Sequence, residues 1–286
     1  MQGQQANLRE LKQCVRKRIL QARRAISPAE RDARSNIISD SLFTKINNLY
    51  TIFSNSTHSG PFTIALYCAM NEEVSLAPFI QRAQTQSWAL CFPCMIKPEC
   101  ECDTQACAGS DRPCNNDPQN ESTNIHAVNN STPHNPRQHN VCANNTQQTY
   151  EAANKTYVFE KQQPNVRNKM HFVELNAASV EHKSLEFLVH PARAYTQSDI
   201  EQQIQQDSYT MRIRWVQADE FHAIVVPVVG FDDTNMRLGY GQGNYDEFLV
   251  QCAPQASIIG VAFKEQHVAC VYPEPHDVAL PDIIVG

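Results

Sequence analysis

Charge is scarce in this chain. Of its 286 residues only 19% are Asp, Glu, Lys or Arg, against 42% apolar, and the formal charge is -6. Such a chain has no broadly cationic surface for nucleic acid. It also lacks any run approaching the roughly 18–20 apolar residues that cross a bilayer. The opening segment, MQGQQANLRELKQCVRKRILQARR, has no apolar stretch of the kind that makes a signal peptide. With a mean hydropathy of -0.46, a soluble cytoplasmic protein is expected, with no membrane partner. The length suffices to bury a core and fits one α/β domain or two compact ones.

The cations that are present gather locally. Arg9, Lys12, Arg16, Lys17, Arg18, Arg23, Arg24, Arg31 and Arg34 face only three acidic residues over the same stretch, and no aromatic residue appears before Phe43. A nucleic-acid surface would be wider and interleaved with aromatics. A membrane-surface helix would carry bulky aromatic anchors. A compact anion such as a phosphate group fits this cluster better, with a merely solvated helix face as the alternative.

Eleven cysteines, an odd number, do not suit a fully paired secreted framework. Seven lie between 91 and 142. Cys91 and Cys94 form a C-x-x-C followed by Cys100, Cys102, Cys107 and Cys114, so a thiolate metal site is chemically possible. The spacing is irregular, and Cys91 within WALCFP reads more simply as the end of a buried strand.

Apolar periodicity supplies the framework. Leu8, Leu11, Val15, Ile19 and Leu20 predict an amphipathic helix over about 7–24, with Lys12 and Arg16 on one face. Ser27, Pro28 and Glu30 form a helix start, and that second helix should reach about Leu49. FTIALYCA, SLAPFIQRAQTQ and SWALCFP read as strand, helix and strand, a βαβ unit. From about 97 to 164 the pattern gives way to Asn, Gln, Cys, Pro and His, which reads as a low-complexity surface insertion. Order resumes with the strand KMHFVEL and the helix SDIEQQIQQD. Buried strands follow in HAIVVPVVGFD and SIIGVAF, then a short strand in VACVYP and the tail ALPDIIVG. The expected architecture is α/β: a mostly parallel sheet covered by helices on both faces, a Rossmann-like three-layer arrangement, as a single domain over 1–286 carrying the insertion.

The chemistry concentrates in RLGYGQGNYD, from Arg237 to Asp246. Gly239, Gly241 and Gly243 permit close backbone approach and let several amides converge, and a helix is expected to follow. The spacing is neither that of a dinucleotide fingerprint nor that of a P-loop. Arg237 can contact phosphate bidentately and Asp246 can hold a divalent cation.

FDDTNMRLGYGQGNYDEFL resembles the signature of the 5-formyltetrahydrofolate cyclo-ligase family, F-D-x-x-G-x-R-L-G-[YR]-G-x-G-[YF]-Y-D. KQCVRKRILQARRAISPAER, NEEVSLAPFI and KEQHVACVYPEPHDVALPDIIV resemble further segments of the same family. The resemblance implies an enzyme that uses ATP and Mg2+ to convert 5-formyltetrahydrofolate to 5,10-methenyltetrahydrofolate, acting as a monomer. It implies that Lys12, Arg16, Arg237 and the loop Leu238, Gly239, Tyr240, Gly241, Gln242 and Gly243 meet ATP, with Tyr245 bordering both substrates. Asp246 would be the metal-side carboxylate, Glu73 the acid near the folate, and Phe231 a further residue of that cleft, with Asp232 beside it. Three positions depart from the pattern: Asn235 replaces Gly, Asn244 replaces an aromatic, and Glu247 stands where a base is common. An ATP-dependent kinase or ligase acting on another heterocycle, or an inactive nucleotide-binding module, remains compatible with these residues.

Overall fold

The computed structural model describes residues 2–56, 60–70, 72–98, 167–210 and 212–286. Helix α1 spans Gln2–Ala25 and α2 spans Pro28–Ser54. Between them Ser27 caps α2, its hydroxyl accepting the Glu30 N–H, with Pro28 in the first turn. α2 runs one turn past the expected Leu49 because Tyr50 and Phe53 continue to pack on the core. Its buried face, Ser35, Ile38, Ser39, Leu42 and Ile46, follows helical spacing.

Strand β1 is Phe62–Ala65, α3 is Ala77–Ala83 and β2 is Trp88–Ile96, and β1 and β2 are parallel neighbours, as a βαβ unit requires. There follow β3 (Lys169–Glu174), α4 (Ala177–Glu181), α5 (Glu186–Val189), β4 (Ala194–Tyr195), α6 (Gln197–Gln206) and β5 (Trp215–Val216). The last third contributes β6 (Ala223–Pro227), β7 (Gly230–Phe231), β8 (Arg237–Leu238), α7 (Asn244–Leu249), β9 (Ser257–Ala262) and β10 (Asp282–Val285). The main sheet runs β10-β9-β6-β1-β2-β3-β5, with β4 also on β2. β10, β9, β6, β1 and β2 are mutually parallel; β3 and β5 are antiparallel additions at one side.

Strand alternation divides the core between the two faces. Ala223 and Val225 of β6 join Phe62, Ile64, Ile38, Leu42 and Phe79 on the α2/α3 face. Ile224 and Val226 join Ala65, Phe172, Phe248 and Leu249 on the other. The same alternation answers the C-x-x-C question. Cys94 belongs to the first core and Cys91 to the second, so the two sulfurs point to opposite faces and cannot chelate one ion. Burial pushes the Cys94 thiol up to about 12.

One expected strand is absent. VACVYP forms no strand: its Val271 N–H is taken by the Asp232 carboxylate, Tyr272 adopts a left-handed φ of 56°, and Pro273 follows. Residues 1–99 and 166–286 form one compact unit. The insertion expected at about 97–164 lies, apart from its first two residues, outside the described residues, as do Cys100, Cys102, Cys107, Cys114 and Cys142.

Candidate functional site

Three connections leave the sheet at the carboxyl ends of parallel strands: Leu66–Leu76 after β1, the segment from Val228 to Gly243 after β6, and Phe263–Pro281 after β9. β1 lies between β6 and β2, so the chain departs in opposite directions on its two sides. Such a switch point is where open α/β sheets leave a crevice.

The loop after β6 starts from a stapled turn. Asp232 is buried, and its Oδ1 accepts the Thr234 N–H at 3.1 Å, the Thr234 hydroxyl at 2.6 Å and the Met236 N–H at 3.3 Å. Its Oδ2 accepts the Val271 N–H at 3.2 Å. Despite the opposing effect of burial, these bonds hold its carboxyl below the usual range. Asn235 adopts the left-handed φ of 57° that a glycine would reach more readily. Phe231 is buried in the core, its ring against His267. Leu238 packs with Ile19, Val268 and Val271, which ties the loop to α1.

Beyond Leu238 the expected site residues converge. Arg16 Nε donates to the Gly239 carbonyl at 2.8 Å, and burial lowers its pKa. Gly241 has φ 98°, and a Cβ there would lie 3.3 Å from Arg16 Nη2, so both conformation and proximity favour glycine. At Gly239 a Cβ would come within 2.8 Å of Arg237 Nη1. Arg237 is buried, pairs through Nη2 with Asp246 Oδ2 at 3.0 Å, and lies 5.5 Å from the centre of the Tyr245 ring. The amides of residues 239–243 donate to no group among the described residues. The helix expected after this loop, α7, has only six residues, so its N-terminal field is small.

Glu73, in the loop after β1, closes the other side. Its Oε2 accepts the Met70 N–H at 2.9 Å and its Oε1 accepts the Tyr240 hydroxyl at 3.1 Å. Burial raises its pKa; the Met70 bond, the Arg23 charge and the Tyr240 bond oppose that rise. Burial, then the Glu73 charge, push the Tyr245 phenol well above its usual value. Asn244 turns its amide toward Met95 Sδ at 3.6 Å and Gln242 Oε1 at 3.3 Å, so no aromatic wall stands there.

Lys12 reaches across to the loop after β9, its Nζ 2.6 Å from Glu274 Oε2 and 2.8 Å from Asp277 Oδ2. Burial lowers its pKa, but these two bonds outweigh it and leave the value raised. Glu274, His276 and Asp277 bring potential ligand atoms within 4.8 Å of one another, yet Lys12 already compensates the two carboxylates. Asp246 Oδ1 accepts the Val278 N–H at 3.4 Å, which sets this carboxylate beside the same segment. Hard carboxylate oxygens of this kind suit Mg2+.

Arg23 was not singled out by sequence reasoning. It is 2% exposed, and its Nη2 donates to the Tyr240 hydroxyl at 2.8 Å. The available signal was its place four residues after Ile19, on the stripe that should be apolar.

A family model described as the 5-formyltetrahydrofolate cyclo-ligase family matches residues 119–286, more than half of the chain. The chain belongs to this family. Two curated members named 5-formyltetrahydrofolate cyclo-ligase match shorter stretches. That of Mycoplasma pneumoniae is 37% identical over 68 residues, 24% of this chain and 40% of the relative. That of Mycolicibacterium smegmatis is 34% identical over 73 residues, 24% of this chain and 38% of the relative. The matched stretches thus span two fifths or less of these relatives' length. Among solved structures, a 5,10-methenyltetrahydrofolate synthetase from Mycoplasma pneumoniae aligns with 96% of this chain and 97% of its own, at 19% identity and a TM-score of 0.49. The synthetase of Aquifex aeolicus aligns with 96% and 89%, at 16% identity and a TM-score of 0.47.

Proposed function

We propose that this family member is an ATP-dependent cyclo-ligase that converts 5-formyltetrahydrofolate to 5,10-methenyltetrahydrofolate, releasing ADP and phosphate. The observation that carries the reading is the single glycine loop that Arg16 and Arg237 both approach and that, through Tyr240, reaches a buried Glu73. The family membership supports the reaction class, and the unpaired loop amides support a phosphate ligand. A formyl oxygen is a poor leaving group until it is activated. In the proposed path it attacks the γ-phosphorus, the bond to ADP breaks, and an N5-iminium phosphate forms. N10 then attacks the formyl carbon, loses its proton, and phosphate departs with the former formyl oxygen.

Each step asks the chain for alignment and charge stabilisation rather than for a nucleophile. Arg16, Arg237 and the amides of Gly239 to Gly243 hold phosphoryl oxygens, with Lys12 at the edge of the same cleft, while Leu238 anchors the loop and Gln242 lines it. Glu73 accepts hydrogen bonds from the folate, Tyr245 lines its pocket, and Phe231 supports that wall from the core. Asp246 is the residue that would hold Mg2+, which when bound neutralises phosphoryl charge. The soluble chain needs no nucleic-acid or membrane partner in this scheme, and it acts as a cytoplasmic monomer. The test is growth of the 5,10-methenyltetrahydrofolate absorbance from 5-formyltetrahydrofolate, strictly dependent on ATP and Mg2+. A well-folded protein that binds ATP yet gives no such product would overturn the reading in favour of another heterocyclic substrate or a binding module.

A further inference from the structure

Arg23 presents a problem of cost. Its side chain is buried, and Nε and Nη1 find no hydrogen-bond partner among the described residues. Each unpaired buried N–H costs about 1–3 kcal/mol, more when the group is charged. An aliphatic residue would fill this stripe position of α1 beside Ile19 without that cost. Among the described residues its side chain makes one hydrogen bond, to Tyr240, the tyrosine between Gly239 and Gly241, and Tyr240 in turn donates to Glu73. The chain Arg23 Nη2–Tyr240 Oη–Glu73 Oε1 therefore links α1, the glycine loop and the loop after β1, three segments far apart in sequence.

We infer that Arg23 is a positioning residue: through the Tyr240 hydroxyl it holds the glycine loop and the Glu73 carboxylate in one fixed arrangement. Geometry limits it to this indirect role. Its Nε and Nη1 are sealed from solvent, so it acts on Glu73 by orienting the phenol and by its charge. The groups facing Glu73 are Arg23 from α1, Tyr67 and Cys68 from the loop after β1, Tyr240 from the glycine loop and Tyr245 from α7. Among the described residues Arg23 is the cation that acts on Glu73 itself, while Lys183 acts on the neighbouring Cys68. The tyrosines and the thiol are all pushed up by burial, so none is a competing anion.

The inference rests on the proposed cyclo-ligase reading for its meaning, and its decisive measurement does not need turnover. The titration of Glu73 is followed by carboxyl-carbon NMR in the full chain, in Arg23→Met, Tyr240→Phe, the double variant and Arg23→Lys. Arg23→Met and Tyr240→Phe should each move the Glu73 midpoint upward, the double variant should move it less than the sum of the two, and Arg23→Lys should restore most of the shift. Tyr240 is 44% exposed, so its phenylalanine variant keeps the inference testable where Arg23→Met fails to fold. Midpoints equal to wild type, or strictly additive shifts, would overturn the coupling through Tyr240. With an active wild type, Arg23→Met should raise KM for the folate about tenfold, the weight of roughly one charged hydrogen bond. The acid limb of kcat/KM should move upward with the NMR midpoint. Equal losses toward ATP and folate with an unmoved acid limb would mark Arg23 as merely structural. A wild type without turnover would count against the cyclo-ligase reading alone, because the titrations still decide the role of Arg23.

Discussion

The two flanks of the cleft are built on different physics. On the flank proposed to hold phosphate the cations lie near groups that already compensate them: Arg237 on Asp246, Lys12 on Glu274 and Asp277, Arg16 on the Gly239 carbonyl. On the flank proposed to hold the folate, the buried carboxylate of Glu73 is kept by two hydrogen bonds and one indirect cation. A ligand on the first flank exchanges one set of charge partners for another, which costs little because buried ion pairs add little net stability of their own. On the second flank a ligand meets an acid that the fold keeps at a cost. The contrast predicts loss of chemistry without loss of fold on one side, and gain of stability with loss of binding on the other.

The largest effect should come from Arg237→Ala, a drop of about 10³-fold in kcat/KM, as for removal of a preorganised phosphate contact. Asp246→Asn should cost about 10²-fold and raise the Mg2+ concentration needed for half-maximal rate. Steady-state kinetics check both, and near-wild-type rates for both variants would erase the distinction between the flanks.

Asp232 tests what underlies the glycine loop. Asp232→Ala leaves four donors without their acceptor and should destabilise the fold by about 2–4 kcal/mol in urea unfolding. Because its folded pKa is depressed, its contribution is present above the unfolded carboxylate value. It is lost as pH falls through the folded one, so the gap between wild type and variant should narrow in acid.

Glu73→Gln should show the opposite pairing of effects. A raised folded pKa means that the native state binds this proton more tightly than the unfolded chain does, so the ionised group costs stability as pH rises through that interval. The glutamine variant should therefore melt a few degrees above wild type at neutral pH, with the difference vanishing in acid, while folate turnover falls by about 10- to 100-fold. A lower melting temperature at neutral pH would show that Glu73 is held mainly by its partners rather than against burial.

The smallest effect should be a gain. Asn244→Tyr supplies the aromatic that the resembled family signature has at this position and should lower KM for the folate a few-fold, in line with about 0.5–1.5 kcal/mol for an aromatic contact. No change in ATP affinity is expected, and equal changes for both substrates would blur the two flanks.

Much of this was legible in the chain. The α2 start at Ser27, Pro28 and Glu30, the βαβ order around α3, the buried strands of the last third and the loop from Arg237 to Asp246 all rest on local patterns, which act over a few residues whatever surrounds them. The strand expected in VACVYP was lost because a side chain 39 residues away, Asp232, claims its backbone N–H. Arg23 was hidden among nine cations of one stretch, since nothing local says which of them points inward.

By itself, then, the sequence determined which residues could carry phosphate, acid and metal chemistry, and in which kind of sheet. Only the tertiary structure decided their partners. Lys12 meets Asp277 across 265 residues, Arg23 meets Tyr240 across 217, and Tyr240 meets Glu73 across 167. Such pairings depend on where parallel strands end along one sheet edge. That edge exists only after the strands have paired and both faces have been buried.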